Sequence, residues 1–157
     1  MPDYGVVGPS EGTGLLPWSW AVERLSASRY YWVGTVGPDG SPHASAVWGI
    51  WHDDAVWFSC GGLSLKARNL DADPRCVVTT ENPREPVIVE GLADRRSGRS
   101  DASRFSEHAN PKYGGGYSID FVAANALYAV RPTRIFGMIE DDFTGSPTRW
   151  IPRTSPG

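Results

Sequence analysis

The sequence predicts a mainly β protein with a few small helices, whose antiparallel strands close into a small barrel. The chain of 157 residues has the length of one domain. Its 18 glycines and 13 prolines predict many turns. Short runs of β-branched and aromatic residues alternate with those turns, and consecutive hairpins of this kind are typical of a small barrel.

The N-terminal region is predicted to be an arm followed by a helix. The first residues are rich in Gly, Pro and Ser, so we expect a mobile arm over 1–14 and a single barrel domain over 15–157. Pro17 suits the first turn of a helix, and apolar residues recur after it at helical spacing. This pattern predicts a helix over about 17–28.

Two hairpins are predicted next. Residues 30–36 are aromatic and β-branched, and they lead into a Pro-Asp-Gly turn signal at 38–40. The second strand, 42–51, has one small apolar face and one mixed face. A polar tip at 52–54 then connects it to a third strand over 55–60. Both hairpins are local, which favours antiparallel pairing.

A short helix and two further strands are predicted in the middle of the chain. Ser64 is a suitable N-cap, and the residues after it, as far as Asp71, have helix-forming composition. Pro74 ends this helix because proline cannot continue it. Strands are predicted over 75–81 and 87–93 from their β-branched composition.

The last third of the chain is less regular. Polar helical pieces are expected from 97 to about 125, around the glycine run Lys112–Gly116, which is a flexible loop by composition. This loop is either a lid over a binding site or a linker between helices. A strand over 126–130 follows, Pro132 is expected to interrupt it, and a separate last strand is predicted over 134–138.

Composition and charge exclude several classes of protein. The net charge of −3 does not indicate the basic surface that binding to nucleic acid requires. No apolar run reaches the length of a membrane span, and the first residues lack the features of a secretory signal, so we expect a cytoplasmic protein. We therefore expect Cys60 and Cys76 to be thiols. The three histidines, His43, His52 and His108, share no metal-binding spacing, so no metal site is predicted.

The segment Ser59–Asn69 carries the strongest local signal for binding. The sequence contains no nucleophile elbow, zinc-protease motif, P-loop or dinucleotide fingerprint, so hydrolase, zinc-protease and kinase functions have no support. In this segment a strand is followed by two glycines and then by a helix start that carries Lys66, one of only two lysines. It is either a phosphate cradle or a plain connection to a solvated basic helix.

The ordered set of motifs resembles the pyridoxamine 5′-phosphate oxidase-like split β-barrel superfamily, and within it the flavin and deazaflavin oxidoreductases of actinobacteria. The resemblance covers about Arg24 to Gly91, and a fainter match is Arg149-Trp150 near the end. The matching residues are Val33-Gly34-Thr35-Val36-Gly37-Pro38-Asp39-Gly40-Ser41-Pro42-His43, Val47-Trp48, Val56-Trp57-Phe58-Ser59, Lys66-Ala67-Arg68-Asn69-Leu70 and Asp73-Pro74-Arg75.

The resemblance implies an FMN-binding-like split β-barrel of antiparallel Greek-key topology. It also implies a homodimer with a flavin or deazaflavin at each interface. By position, residues of the second strand would lie along the ring, residues at the end of the third would flank it, and the helix after them would hold the phosphate. The implied cofactor-binding residues are Ala46, Val47, Trp48, Phe58, Ser59, Cys60, Ser64, Lys66, Asn69 and Arg149.

Three departures from the family pattern favour the deazaflavin coenzyme F420 over FMN. Leu65 stands where FMN oxidases have a second basic residue, Pro86 where they have glutamine, and Met138 where they have tryptophan. The leading hypothesis is an F420-dependent oxidoreductase that transfers hydride between the coenzyme and an unsaturated or carbonyl-containing small molecule. The alternatives are an FMN-dependent oxidoreductase and a non-catalytic flavin or haem binder, with His43 or His108 as axial ligand.

Overall fold

Six antiparallel strands close into a barrel in the computed structural model, which describes residues 5, 6, 8 and 10–152. The strands are β1 (Tyr30–Val36), β2 (Pro42–His52), β3 (Ala55–Cys60), β4 (Arg75–Thr80), β5 (Val87–Arg96), β6 (Ala126–Gly137) and the short β7 (Thr148–Trp150). The helices are α1 (Trp18–Ala27), α2 (Leu65–Ala72), α3 (Arg99–Tyr113) and α4 (Ile119–Ala123), with a 3₁₀ turn at Glu140–Asp142.

The strand order is β3-β2-β1-β4-β5-β6-β7, and β3 also pairs with β6 to close the barrel. The fourth strand lies beside the first rather than beside the third, which is the Greek-key arrangement. The predicted mainly β fold, with a split barrel of antiparallel Greek-key topology, is therefore confirmed. Each predicted strand before residue 97 lies within one or two residues of an observed strand, except that β5 continues to Arg96.

Two apolar cores position the elements around the barrel. The first core fills the barrel, where Phe58 and Tyr128 stack with ring centroids 5.5 Å apart. Helices α1 and α2 cover opposite ends of this core, with Leu25 and Leu70 buried against it. The second core lies outside the barrel, where α3 and α4 pack on Trp57 and its neighbours. Helices α3 and α4 are therefore fixed along one side of β2, β3 and β6.

Strand β6 runs without interruption through Pro132, so the prediction of two separate strands there is wrong. The pairing with β5 shifts from Glu90–Arg134 to Gly91–Pro132, which leaves Thr133 as an extra residue. The Thr133 hydroxyl donates a hydrogen bond to the Glu90 carbonyl at 3.0 Å. A bulge of this kind accommodates a residue that lacks an N–H donor, so the proline bends the strand instead of ending it.

The predicted helical pieces between 97 and 125 are one long helix and one short one. Helix α3 spans 15 residues and contains Pro111 near its end, and α4 spans five. Pro111 is tolerated because only one intrahelical hydrogen bond is lost there. In the predicted arm, residues 1–4, 7 and 9 lie outside the described residues, and Gly14 donates a hydrogen bond to the Gly145 carbonyl at 3.2 Å.

Among the described residues, none of the helices combines the length and apolar character needed to cross a membrane. Nor does the same part of the chain bring three His, Cys, Asp or Glu side chains together as metal ligands. Cys60 and Cys76 are both free thiols, as predicted. Burial raises the pKa of Cys76 to about 12, so this thiol stays protonated at neutral pH.

Candidate functional site

A cleft of ≈ 500 Å³ opens on the outside of the barrel, where β3 ends. One wall is formed by Trp48 of β2 and by Ser59, Cys60 and Gly61 at the end of β3. Alternation along β2 places Trp48 on the outer face, where 55% of the residue is exposed. Its ring meets the edge of Tyr30 with the centroids 6.1 Å apart. This wall therefore presents a large flat side chain beside small polar groups.

The opposite wall is a row of three aromatic rings from α3, α4 and the segment between them. Tyr113, Tyr117 and Phe121 line the cleft at intervals of four residues. The ring centroids of the first pair are 5.8 Å apart and those of the second pair 6.5 Å. Phe105, buried in the outer core, supports Tyr117 from behind at 5.6 Å. Aromatic surfaces thus line much of the cleft, which suits a flat ligand.

The glycine run between α3 and Tyr117 also lines the cleft, through Gly115 and Gly116. Gly114, Gly115 and Gly116 all have positive φ angles, of 80°, 102° and 96°, which other L-residues rarely adopt. The Asn110 side chain clamps the segment, since its amide donates to the Tyr117 carbonyl at 3.1 Å and its oxygen accepts from the Tyr117 N–H at 3.0 Å. These bonds favour a fixed wall over a moving lid.

Tyr113 is held against β2 by its hydroxyl group. The hydroxyl accepts a hydrogen bond from the Gly49 N–H at 2.9 Å and lies 2.7 Å from both the Gly49 and the Arg29 carbonyl oxygens, either of which can accept its proton. Burial raises the pKa of Tyr113 to about 12, so the phenol stays protonated at neutral pH. The Arg29 guanidinium lies 5.5 Å from the Tyr113 ring and adds a positive charge at the cleft.

Lys112, one of the two lysines, anchors α3 beneath this wall. Its ammonium donates to the Gly49 carbonyl at 2.9 Å and to the Tyr31 hydroxyl at 3.2 Å. Burial lowers the pKa of Lys112 to about 8 because the charged form loses hydration. Lys112 does not line the cleft, so its contribution is to hold the C-terminal end of α3 on the barrel.

The other lysine lies at the start of α2, next to the β3 end of the cleft. The Ser64 hydroxyl caps this helix by accepting from the Ala67 N–H at 3.4 Å, and it contacts Cys60 Sγ at 3.6 Å. Lys66 makes no hydrogen bond or ion pair within the described part of the chain, and its charge acts on the Cys60 thiol. Burial nevertheless raises the pKa of Cys60, so the thiol is protonated.

The structure brings together half of the residues implied by the resemblance. Trp48, Ser59 and Cys60 line the cleft, and Ser64 and Lys66 begin the adjoining helix. These five residues come from two strands and one helix start. The side chains that a ring and an anionic group would require are therefore close to one another in the folded chain.

The remaining implied residues lie elsewhere. Val47 and Phe58 face the barrel interior and are buried, because strand alternation turns their side chains inward, so only their backbone can face a ligand outside. Asn69 is also buried, and its amide donates to the Thr35 hydroxyl at 3.0 Å. Ala46 lies exposed on the outer sheet face, and Arg149 is exposed on β7, outside the cleft.

Neither candidate haem ligand lines the cleft. His108 of α3 packs against His52 at the tip of the β2–β3 hairpin, with ring centroids 4.0 Å apart and the planes tilted by 32°. His43 lies on the rim of a separate, open groove of ≈ 880 Å³ that extends over β1, β2, β4 and β5. The cleft therefore contains no histidine among the described residues.

Five lining residues other than glycines were not predicted for the site. They come from the connection between α1 and β1, from α3, and from α4 and the residues on either side of it, and only folding brings them to β3. The interval of four between successive aromatic residues around the glycine run was a signal that could have identified three of them. The five residues are Arg29, Tyr113, Tyr117, Phe121 and Asn125.

The family model described as pyridoxamine 5′-phosphate oxidase matches residues 21–138 of the chain. None of the curated proteins compared with the sequence matches it.

Several solved structures are similar to the chain. One is an "F420 Reductase", 27% identical, with a TM-score of 0.62, covering 76% of this chain and 98% of the other. A conserved hypothetical protein from Mycobacterium tuberculosis is 21% identical, with a TM-score of 0.72 and coverage of 97% and 98%. A heme binding protein from Mycobacterium smegmatis is 19% identical, with a TM-score of 0.68 and coverage of 87% of this chain and 59% of the other. The last two similarities concern the fold alone.

Proposed function

The chain belongs to the pyridoxamine 5′-phosphate oxidase family, whose model matches residues 21–138, and from this premise we propose that it is an F420-dependent oxidoreductase. Its reaction is hydride transfer between the deazaflavin and an unsaturated or carbonyl-containing small molecule. The observation that carries the proposal is a cleft lined by aromatic rings that adjoins a lysine at the start of a helix, where no described residue forms an ion pair with this lysine.

The residues of the cleft fit such a coenzyme. A flat tricyclic ring suits the space between Trp48 on one wall and Tyr117 and Phe121 on the other. An anionic phosphate suits the N-terminal end of α2, where backbone N–H groups are free and Lys66 supplies a positive charge. The structure thus offers an apolar place for the ring and a cationic place for the phosphate.

The deazaflavin supplies the hydride chemistry when bound, and the protein supplies orientation and shielding. The aromatic row and the backbone of Gly115 and Gly116 exclude water from one side of the cleft. Tyr113 keeps its proton and stays bonded to β2, so it positions the wall. The Arg29 guanidinium offers a positive charge to a substrate carbonyl or carboxylate at the cleft.

Two observations favour F420 over FMN. The residue before Lys66 is Leu65, an apolar side chain that is 46% exposed, where FMN oxidases of the family carry a second cation. The "F420 Reductase" is also 27% identical to this chain. FMN is the second candidate coenzyme because it has a similar flat ring and phosphate.

A side-by-side titration tests the proposal. The purified protein is titrated with F420 and with FMN, and binding is followed by coenzyme fluorescence polarisation. We expect saturable binding of F420, at least about tenfold tighter than that of FMN, which corresponds to ~1.4 kcal/mol. Equal or stronger binding of FMN would contradict the choice of F420 and would indicate that FMN is the coenzyme. If neither coenzyme binds, the proposed function is wrong.

We further propose that two chains pair through the outer face of the sheet. Family members commonly form dimers. On this face Trp32 is 52% exposed, and it lies opposite Ala46 of β2 and Thr79 of β4. Val36 and Val77 extend the apolar surface along the same side. A continuous apolar patch of this kind marks a protein interface, and a second copy of the chain presents an identical surface.

Replacing Trp32 with glutamate is expected to convert a dimer into a monomer. The change places a charge at the centre of the apolar face, where pairing would bury it without a partner, so the dimer dissociation constant rises at least about 100-fold. Sedimentation velocity measures the change. Leu63→Glu is the matched control, since Leu63 is 90% exposed on the β3–α2 connection and should leave the dimer intact. A wild-type monomer at tens of micromolar would refute the pairing.

The cytoplasm is the proposed compartment. Cys60 and Cys76 are both free thiols, and Cys76 is buried on β4. Unpaired thiols suit a reducing environment.

A further inference from the structure

A second cleft, of ≈ 420 Å³, lies at the end of the barrel covered by α1. Trp18 of α1, Trp51 of β2 and Trp150 of β7 line it. The ring centroid of Trp18 is 6.1 Å from that of Trp51, with the planes 70° apart, and 5.9 Å from that of Trp150, at 60°. Three indoles inclined to one another in this way form part of an aromatic cage.

The charged group of this cleft is Asp54. Its carboxylate makes no hydrogen bond or ion pair within the described ranges, although the neighbouring Asp53 pairs with His52 and Arg104. The remaining lining residues are prolines and isoleucines, which carry no charge. Among the described residues, the cleft therefore combines indole rings with one negative charge that has no partner.

A fourth tryptophan, Trp20, lies next to this group and already binds a cation. The Arg24 guanidinium lies 3.9 Å from the ring centroid of Trp20. Trp20 in turn stacks on Trp150, with centroids 6.4 Å apart and planes 21° apart. Indole faces attract cations through the ring quadrupole, and Trp is the strongest of the aromatic side chains in this respect. The side of Trp150 and Trp18 that faces the cleft has no such partner among the described residues.

We propose that this cleft binds a small organic cation with a methylated ammonium head. Indole faces and a carboxylate attract positive charge and repel anions. A quaternary ammonium is weakly hydrated and donates no hydrogen bonds, so it loses little on entering a cleft lined by indole, proline and isoleucine side chains beside one carboxylate. The site is separate from the coenzyme cleft, because none of its lining residues is shared with that cleft.

Choline and its uncharged analogue 3,3-dimethylbutan-1-ol test the proposal, because the two have the same shape and differ in charge. Isothermal titration calorimetry of the full chain should give saturable binding of choline, at least about tenfold tighter than that of the alcohol. In NMR spectra the indole N–H signals of Trp18, Trp51 and Trp150 should shift, and that of Trp32 should not. Equal affinity for the two ligands, or no binding of choline, would overturn the proposal.

Variants of the hairpin turn provide the matched control. Asp54 has a positive φ of 52°, a conformation that asparagine also tolerates, so Asp54→Asn removes the charge and keeps the turn. We expect this variant to weaken choline binding about tenfold, whereas Asp53→Asn on the same turn leaves it unchanged. Trp18→Leu, at a residue 38% exposed on α1, should weaken it by a similar factor. Unchanged affinity in Asp54→Asn would show that no ion pair forms and would refute the proposed site.

Discussion

Replacing Lys66 with alanine is expected to weaken F420 binding by about 10- to 100-fold, which corresponds to the ~1.5–3 kcal/mol of a hydrogen bond to a charged group. Lys66 is the second residue of α2, and no described residue forms an ion pair with its ammonium group. A phosphate placed at this helix start would therefore lose its only lysine contact. Fluorescence polarisation of F420 measures the loss.

Arg68→Ala is the control for this experiment. Arg68 lies on the same helix and is exposed, and its guanidinium forms no hydrogen bond or ion pair with the described residues, so the variant removes the same charge from the protein surface. It should change F420 affinity less than about twofold, because residues two apart on a helix face different sides, so the Arg68 side chain points away from the surface that Lys66 faces. Equal losses in both variants would indicate a general electrostatic effect, and an unchanged affinity in Lys66→Ala would refute the phosphate assignment.

The local parts of the fold were predictable from the sequence. The first two hairpins are encoded by alternation within each strand and by turn residues between them. Asp53 and Asp54, both with positive φ, form the tight turn that the polar tip at 52–54 indicated. Ser64 caps α2 as expected. These features depend on neighbours in the sequence, so the sequence alone specifies them.

The features that depend on distant contacts were not predictable in the same way. Pro132 ends a strand by local rules, yet it continues β6 because a bulge opposite Gly91 accommodates it. Separate helical pieces were predicted between 97 and 125, yet most of this segment is the single helix α3, which passes through Pro111, since residues such as Phe105 are buried against the barrel. Tertiary packing outweighs local propensity in both places.

The candidate site also has a part that the sequence predicted and a part that depends on distant contacts. The resemblance implied Trp48, Ser59 and Cys60, because it predicts which positions along the chain belong to the site. It does not predict which way each side chain points, and Phe58 points into the barrel although its neighbour Ser59 lines the cleft. The aromatic row that begins at Tyr113 reaches the cleft only because α3 packs across β3, so the interval of four marks the row in the sequence but does not show which strand it contacts.

The bulge in β5 and β6 leads to the largest expected effect on stability, in the variant Gly91→Ala. An added Cβ at Gly91 would lie 2.4 Å from the Arg131 carbonyl oxygen and 3.0 Å from Val130. The closer atom belongs to the backbone of the paired strand, so no side-chain rotation relieves the contact. Either the bulge opens or the register shifts, and in both cases pairing between β5 and β6 is lost.

We therefore expect Gly91→Ala to lower the free energy of unfolding by ~3 kcal/mol, as measured by urea denaturation of the protein without coenzyme. Gly62→Ala is the control, because its added Cβ would meet its nearest atom, on the Arg95 side chain, at 3.9 Å, which is ordinary contact. This second variant should be unchanged or slightly more stable, since alanine restricts the unfolded chain. Equal stability of the two variants would contradict the prediction, because it would mean that the bulge accommodates a Cβ at Gly91 without loss of strand pairing.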